Sequence, residues 1–209
     1  MKLLFSIPSG YHLRELVLPL RRHLEVNPSI TEVHCVTPAA SIAKDIFKEF
    51  GPKFFYHENP KDDAGHRTLF SEVKPDVVVT NTVGHDALDE PILRIAKELS
   101  IPTVTFIASW DNVWKIGRLI ESKIPIFIAD RFIVWNSMMK EHLIRIFPDI
   151  SEERIAIIGA PRLDYFTHTD QIASKEEVYQ RLGLDDMSRP FIHIATTELY
   201  EMEYIFKAI

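Results

Sequence analysis

The sequence predicts an α/β fold, a doubly wound and mostly parallel sheet followed by the start of a second α/β domain. Short apolar runs alternate with segments of helical periodicity, which is the pattern of repeated strand–helix–strand units. The run Pro102-Thr103-Val104-Thr105-Phe106-Ile107-Ala108 is rich in β-branched and aromatic residues, as in a strand buried within a parallel sheet. Near Arg162 the alternation lapses, and it resumes at Phe191.

The elements follow in order. Strands are predicted at Lys2–Ile7, Glu32–Val36, Lys53–Tyr56, Asp76–Thr80, Pro102–Ala108, Arg131–Trp135 and Ile155–Ile158. Between them Ile42, Ile46, Phe47 and Phe50 share one helical face, closed by Gly51-Pro52. Leu88, Ile92, Ile95, Ala96 and Leu99 form a second such stripe, and Met138–Phe147 a third helix stopped by Pro148. Leu13, Leu16, Val17, Leu20 and Leu24 also share a face, but Pro19 within it must kink the helix or mark its first turn.

Residues 1–164 therefore read as one α/β domain and 165–190 as a linker with a connecting helix. The stretch Tyr165–Asp170 has no regular period, and Ser174-Lys175-Glu176-Glu177 is a capping box for a helix that Gly183 ends. Phe191–Ala195 starts a new strand, Thr196-Thr197 forms its carboxyl-end turn, and Leu199, Met202, Ile205, Phe206 and Ile209 follow on one helical side. Residues 191–209 thus read as the first strand–helix unit of a truncated second domain, too small to stand alone.

Composition narrows the class. Hydrophobic residues make up 46% and aromatics 11%, which suits a packed globular chain rather than a disordered one. The net charge of −6 argues against general nucleic-acid binding. The single cysteine, Cys35, has no internal partner, and a reducing compartment fits it best. The apolar start Met1–Ile7 stops at Pro8-Ser9-Gly10, too soon for a signal peptide, and no run approaches the ~18 apolar residues of a membrane span. The expectation is a soluble, cytoplasmic protein.

Ligands of open α/β sheets bind beyond the carboxyl ends of the strands. There Ser109-Trp110-Asp111-Asn112 follows the fifth strand, and Gly10-Tyr11-His12-Leu13-Arg14 follows the first. Asp111 has the chemistry to orient or deprotonate a hydroxyl, Asn112 to hydrogen-bond it, and Trp110 to stack on a sugar face. The simpler alternative is an Asp or Asn helix cap. Gly10 lets the backbone approach a ligand closely, His12 suits a general base, and Arg14 suits a carboxylate or phosphate. Equally, His12 and Arg14 fit as solvated first-turn residues.

Other polar groups carry less. Lys115 and Arg118 suit an anionic ligand or a solvated face, and Arg21-Arg22-His23 reads as a helix surface. His57-Glu58, Asp62-Asp63 and His66 lack regular ligand spacing in a Pro/Lys/Gly-containing loop, so no metal site is expected. Lys44, Lys48 and Lys53 beside Phe47, Phe50, Phe54 and Phe55 would suit peripheral contact with an anionic membrane, although aromatics facing the core are the plainer reading. No Gly-x-Gly-x-x-Gly or phosphate-loop sequence occurs.

In order and spacing, four segments resemble the amino-terminal domain of GT-B-fold glycosyltransferases and of related surface-glycan and glycerophosphate polymer transferases. They are Gly10-Tyr11-His12, Ser109-Trp110-Asp111-Asn112, Asp130–Asn136 and Arg154–Asp164, and the likeness spans nearly the whole chain. The resemblance implies two Rossmann-like domains facing a cleft, with acceptor on the first, nucleotide-sugar donor on the second, and no obligatory metal or other cofactor. It implies His12 or Asp111 as the base, Gly10, Arg14, Ser109, Trp110 and Asn112 on the acceptor side, and Thr196 and Thr197 as the first donor-side turn.

The implied reaction moves a glycosyl or glycerol-phosphate group from the nucleotide-activated donor to a hydroxyl of a glycan or lipid-linked acceptor, in the cytoplasm or at the membrane. With the donor domain incomplete, this chain alone is expected to be inactive. Two alternatives stay open: a nucleotide-sugar 2-epimerase of the same fold, and a noncatalytic domain that binds glycan or a partner.

Overall fold

The computed structural model describes residues 1–9, 12–38, 43–48, 50–84, 86, 88–107, 109, 112–167, 173–184 and 188. Among them seven strands form one sheet: β1 (Lys2–Ser6), β2 (Glu32–Thr37), β3 (Phe54–Glu58), β4 (Val77–Thr80), β5 (Thr103–Phe106), β6 (Arg131–Val134) and β7 (Ile155–Ile157). Every pairing is parallel, and the order is β3-β2-β1-β4-β5-β6-β7. The order reverses between β1 and β4, the position at which doubly wound sheets open a crevice for ligands. Each of the seven strands predicted within residues 1–164 is present, shifted by a residue or two at its ends.

The helices are α1 (Leu18–Val26), α2 (Ala43–Phe47), α3 (Asp63–Val73), α4 (Asp89–Glu98), α5 (Asn112–Glu121), α6 (Ser137–Ile146) and α7 (Lys175–Arg181). Helices α1–α6 cover both faces of the sheet, and β1 shows why Leu3-Leu4-Phe5 is apolar at each position. Leu3 and Phe5 join a core with Leu13, Leu16, Val17 and Val33, while Leu4, between them, joins Val78, Ile92 and Ile95 on the opposite face. A third cluster, including Ile107, Val113, Phe132 and Leu143, holds α5 and α6 against β6 and the residue that follows β5. Phe47, Phe50 and Phe54 pack against the first core, so three of the four aromatics in the lysine-flanked set face inward. Among the described residues no helix is long and apolar enough to cross a membrane.

Three local features sharpen or correct the sequence reading, and in the first Pro19 marks the opening turn of its helix, one of the two places read for it. Pro19 falls near the start of α1, and a π-helical turn, Leu13–Val17, precedes it, with the Leu18 amide bonding the Leu13 carbonyl. A proline at 19 has no N–H for the Glu15 carbonyl and would crowd it, and the wider turn relieves that crowding. Second, Asp62 and Asp63 are not in a loop that runs on to His66: Asp62 caps α3 through its side chain, which accepts from the Gly65 amide at 2.8 Å. His66 is a buried helix residue whose ring nitrogens meet the Asp62 carbonyl and Asn59 Oδ1 at 2.7 and 3.1 Å. Third, Pro161–Thr167, part of which reads as linker in the sequence, forms a 3-10 helix.

The chain divides into two compact units, Met1–Thr167 and His168–Ile209. In the second, α7 carries the predicted capping box, with the Ser174 hydroxyl and the Glu177 carboxylate each bonding the other's amide. The predicted strand 191–195, the turn residues Thr196 and Thr197, the helix 199–209 and residues 168–170 of the linker lie outside the described residues.

Candidate functional site

The carboxyl ends of β1, β4 and β5 lie side by side at the point where the strand order reverses. A cavity of about 160 Å³ opens there, lined by His12, Asn81, Thr82, Asp86, Asn112 and Lys115, with Val83, Ile107 and Ile116 as its apolar wall. Of the residues named from sequence, His12, Asn112 and Lys115 therefore share one cavity. Ser109 belongs to the same turn as Asn112, whose amide bonds the Ser109 carbonyl at 3.1 Å. Arg14 lies in the π-helical turn. Gly10, Trp110 and Asp111 lie outside the described residues.

His12 follows β1 through Ser9, whose Oγ is 2.9 Å from His12 Nδ1. Burial lowers the imidazole pKa below its ordinary value, and Lys115 acts in the same direction. The charges of Glu15 and Asp86 partly oppose this. The net effect favours the neutral ring at neutral pH, the form that accepts a proton. When Nδ1–H donates to Ser9, the lone pair is on Nε2. At the start of α5, Lys115 Nζ donates to Asn112 Oδ1 at 3.1 Å, which brings a cation to the cavity's edge.

The sequence reading passed over the β4 end. Thr80 and Thr105 are register partners on neighbouring strands, and their hydroxyls meet at 3.0 Å. Beyond them Thr82 bonds Asp89 through both its amide and its hydroxyl, and the Ser6 hydroxyl of β1 bonds the same carboxyl. Asp89 is fully buried in the first turn of α4, and desolvation raises its pKa to about 7 against the hydrogen bonds of Ser6 and Thr82. This carboxyl ties β1, the β4 turn and α4 together beneath the cavity. Gly84 completes the turn at φ +77°, where a Cβ would lie 2.7 Å from Phe127. The signal for this region was available as Thr80-Asn81-Thr82, a polar run after Val77-Val78-Val79.

A larger cleft, about 670 Å³, lies at the opposite edge, where Thr103 and Asp130 stand at the amino ends of β5 and β6. Three of its polar side chains, those of Thr103, Asp130 and Arg154, are occupied within the fold. Asp130 accepts from the Thr103 amide and hydroxyl, and Arg154 donates to the carbonyls of Asp130 and Ala129. Position beyond the strand carboxyl ends therefore favours the smaller cavity. Among the described residues no three His, Cys, Asp or Glu side chains are grouped to hold a metal ion.

No family model matches the chain, and no curated protein matches its sequence. Solved structures do match. UDP-GlcNAc 2-epimerase from Neisseria meningitidis bound to UDP-GlcNAc is 14% identical, with a TM-score of 0.62, over 88% of this chain and 54% of that one. MnaA of S. aureus, solved with UDP, is 15% identical with a TM-score of 0.61, over 87% and 51%. Anabaena HepE in complex with UDP and glucose is 13% identical with a TM-score of 0.53, over 88% and 50%. The fold shared with these neighbours is the Rossmann-like α/β fold, with every strand of the sheet parallel. The chain spans about half the length of these neighbours.

Proposed function

We propose that this chain contributes the acceptor-side half of an enzyme that acts on a nucleotide-activated sugar or glycerol phosphate. The observation that carries the reading is the meeting of His12, Asp86, Asn112 and Lys115 in one cavity at the switch point of this fold. His12, held neutral by burial and oriented by Ser9, accepts the proton of an acceptor hydroxyl. The oxygen then forms a new bond to the transferred group, and the bond to the nucleotide phosphate breaks with its electron pair leaving on the nucleotide. Asp111 is the second candidate for the base, with Gly10, Arg14, Ser109, Trp110 and Asn112 placing the acceptor and Thr196 and Thr197 beginning the donor side. The reaction needs no metal or other cofactor, and it takes place in the cytoplasm or against the membrane, where a lipid-linked acceptor is met.

A 2-epimerase is an equally supported reading, because the Neisseria meningitidis neighbour is by name an enzyme of that kind. Product analysis separates the two. The full-length protein is incubated with labelled UDP-sugars, with and without a glycan or polyol acceptor. A glycoside formed only with acceptor supports transfer, and an epimer formed without acceptor supports epimerisation. Binding of oligosaccharide with neither product would leave a noncatalytic binding domain.

A further inference from the structure

Asn81 stands at the carboxyl end of β4 and lines the small cavity, yet it is only 2% exposed. Neither Nδ2 nor Oδ1 of its carboxamide has a hydrogen-bond partner among the described residues. The polar side chains around it are arranged differently. Thr80 is bonded to Thr105, while Ser6 and Thr82 are bonded to Asp89. A buried carboxamide without partners weakens a fold, so its presence at the floor of a cavity is a cost that a bound group can offset.

The chemistry of that group follows from the donors and acceptors of an amide. A phosphate or carboxylate offers only acceptors and leaves Oδ1 facing lone pairs, whereas an ammonium offers only donors and leaves Nδ2 unmet. Hydroxyls and amides provide both. Size restricts the ligand further: about 160 Å³ is roughly five times the ~30 Å³ share of one liquid water and well below the ~300 Å³ of a small drug pocket. One small polar fragment fits, with its C–H side against Val83, Ile107 and Ile116. We propose that Asn81 is a specificity-determining residue that holds a hydroxyl or amide of a sugar ring or glycerol unit at the floor of this cavity. The proposal deepens the acceptor-side reading above and rests on it.

The test uses the 209-residue chain, with glycerol and N-acetylglucosamine as probes followed by ligand-observed NMR. At least one probe is expected to saturate the wild type, and which one does so separates a glycerol unit from a sugar. Asn81→Leu, of similar shape and without polar atoms, is expected to weaken that binding by about tenfold or more, while melting no lower than wild type. Asn81→Asp keeps the shape and an acceptor but loses both N–H donors, and the same loss of binding is required of it even if the leucine variant fails to fold. Saturation by neither probe overturns the proposal, as does unchanged affinity in either folded variant. UDP binding and UDP-sugar turnover by the full-length protein are measured alongside. Probe binding lost through Asn81 without any UDP binding removes the nucleotide-sugar reading and keeps the cavity assignment. Turnover that Asn81→Leu leaves unaltered removes the cavity assignment and keeps the reading.

Discussion

The guanidinium of Arg162 closes on the buried carboxylate of Glu15, a residue 147 positions earlier in the chain. Glu15 lies in the π-helical turn just after His12, and Arg162 in the 3-10 helix after β7. Arg162 also stacks over the Trp135 ring at 4.8 Å, so one side chain joins the first and last segments of the larger unit. Arg162→Ala is expected to cost about 2–3 kcal/mol, read from the urea midpoint. This is below the ~3–5 kcal/mol for breaking a fully buried pair, because the Arg162 side chain is 29% exposed while that of Glu15 is 5% exposed. Arg162→Lys, with no planar fork to stack on Trp135, should recover only part of the loss.

If His12 is the base, His12→Ala in the full-length protein lowers turnover by about 10²–10⁴-fold with little change in melting temperature. Because burial favours the neutral ring, the wild-type rate should be level from neutral pH upward. It should fall only as the pH drops through the lowered pKa, below the ordinary ~6.5. A steep fall already at pH 7 would point to another base.

Asp89 predicts a pH dependence of stability with a definite sign. Its pKa is raised on folding to about 7, so its contribution is complete below its unfolded value and is lost as the pH rises through about 7. The lowered histidines His12, His57 and His142 act the other way, contributing above ~6.5 and losing that contribution on acidification. The comparison with Asp89→Asn isolates the carboxyl. From about pH 5 to about pH 8 the melting temperature of wild type should fall relative to that of the variant. A constant difference across that range would mean that Asp89 is already ionised in the fold at the acid end.

Cys35 is fully buried in β2, and burial pushes its thiol pKa up. The native protein should therefore not react with a thiol-exchange reagent on the timescale of minutes, and one equivalent should appear on unfolding in guanidinium.

What the sequence revealed depended on how local the cause was. β1 and β4 were readable because burial on both faces makes Leu3-Leu4-Phe5 and Val77-Val78-Val79 apolar residue after residue. α3 was not, because its buried face includes His66 and it opens on Asp62, Asp63 and Gly65. His12 and Asn112 stood out as polar residues directly after apolar strands. Asn81, Asp86 and Asp89 did not, since Thr-Asn-Thr reads as an ordinary turn. The role of Asp89 comes from a partner far along the chain, Ser6, 83 residues before it.

The strand order has a kinetic consequence. β1 is paired on one side with β2 and on the other with β4, where Leu3 meets Val77. The middle of the sheet therefore closes only when segments more than seventy residues apart in the chain meet, and parallel pairing offers no hairpin to guide them. Until then the pairings open to nearer segments, β1 with β2 and β2 with β3, leave the β1 edge unpaired. Refolding yield should thus depend on concentration more steeply than native stability does, with the bottleneck at the arrival of β4.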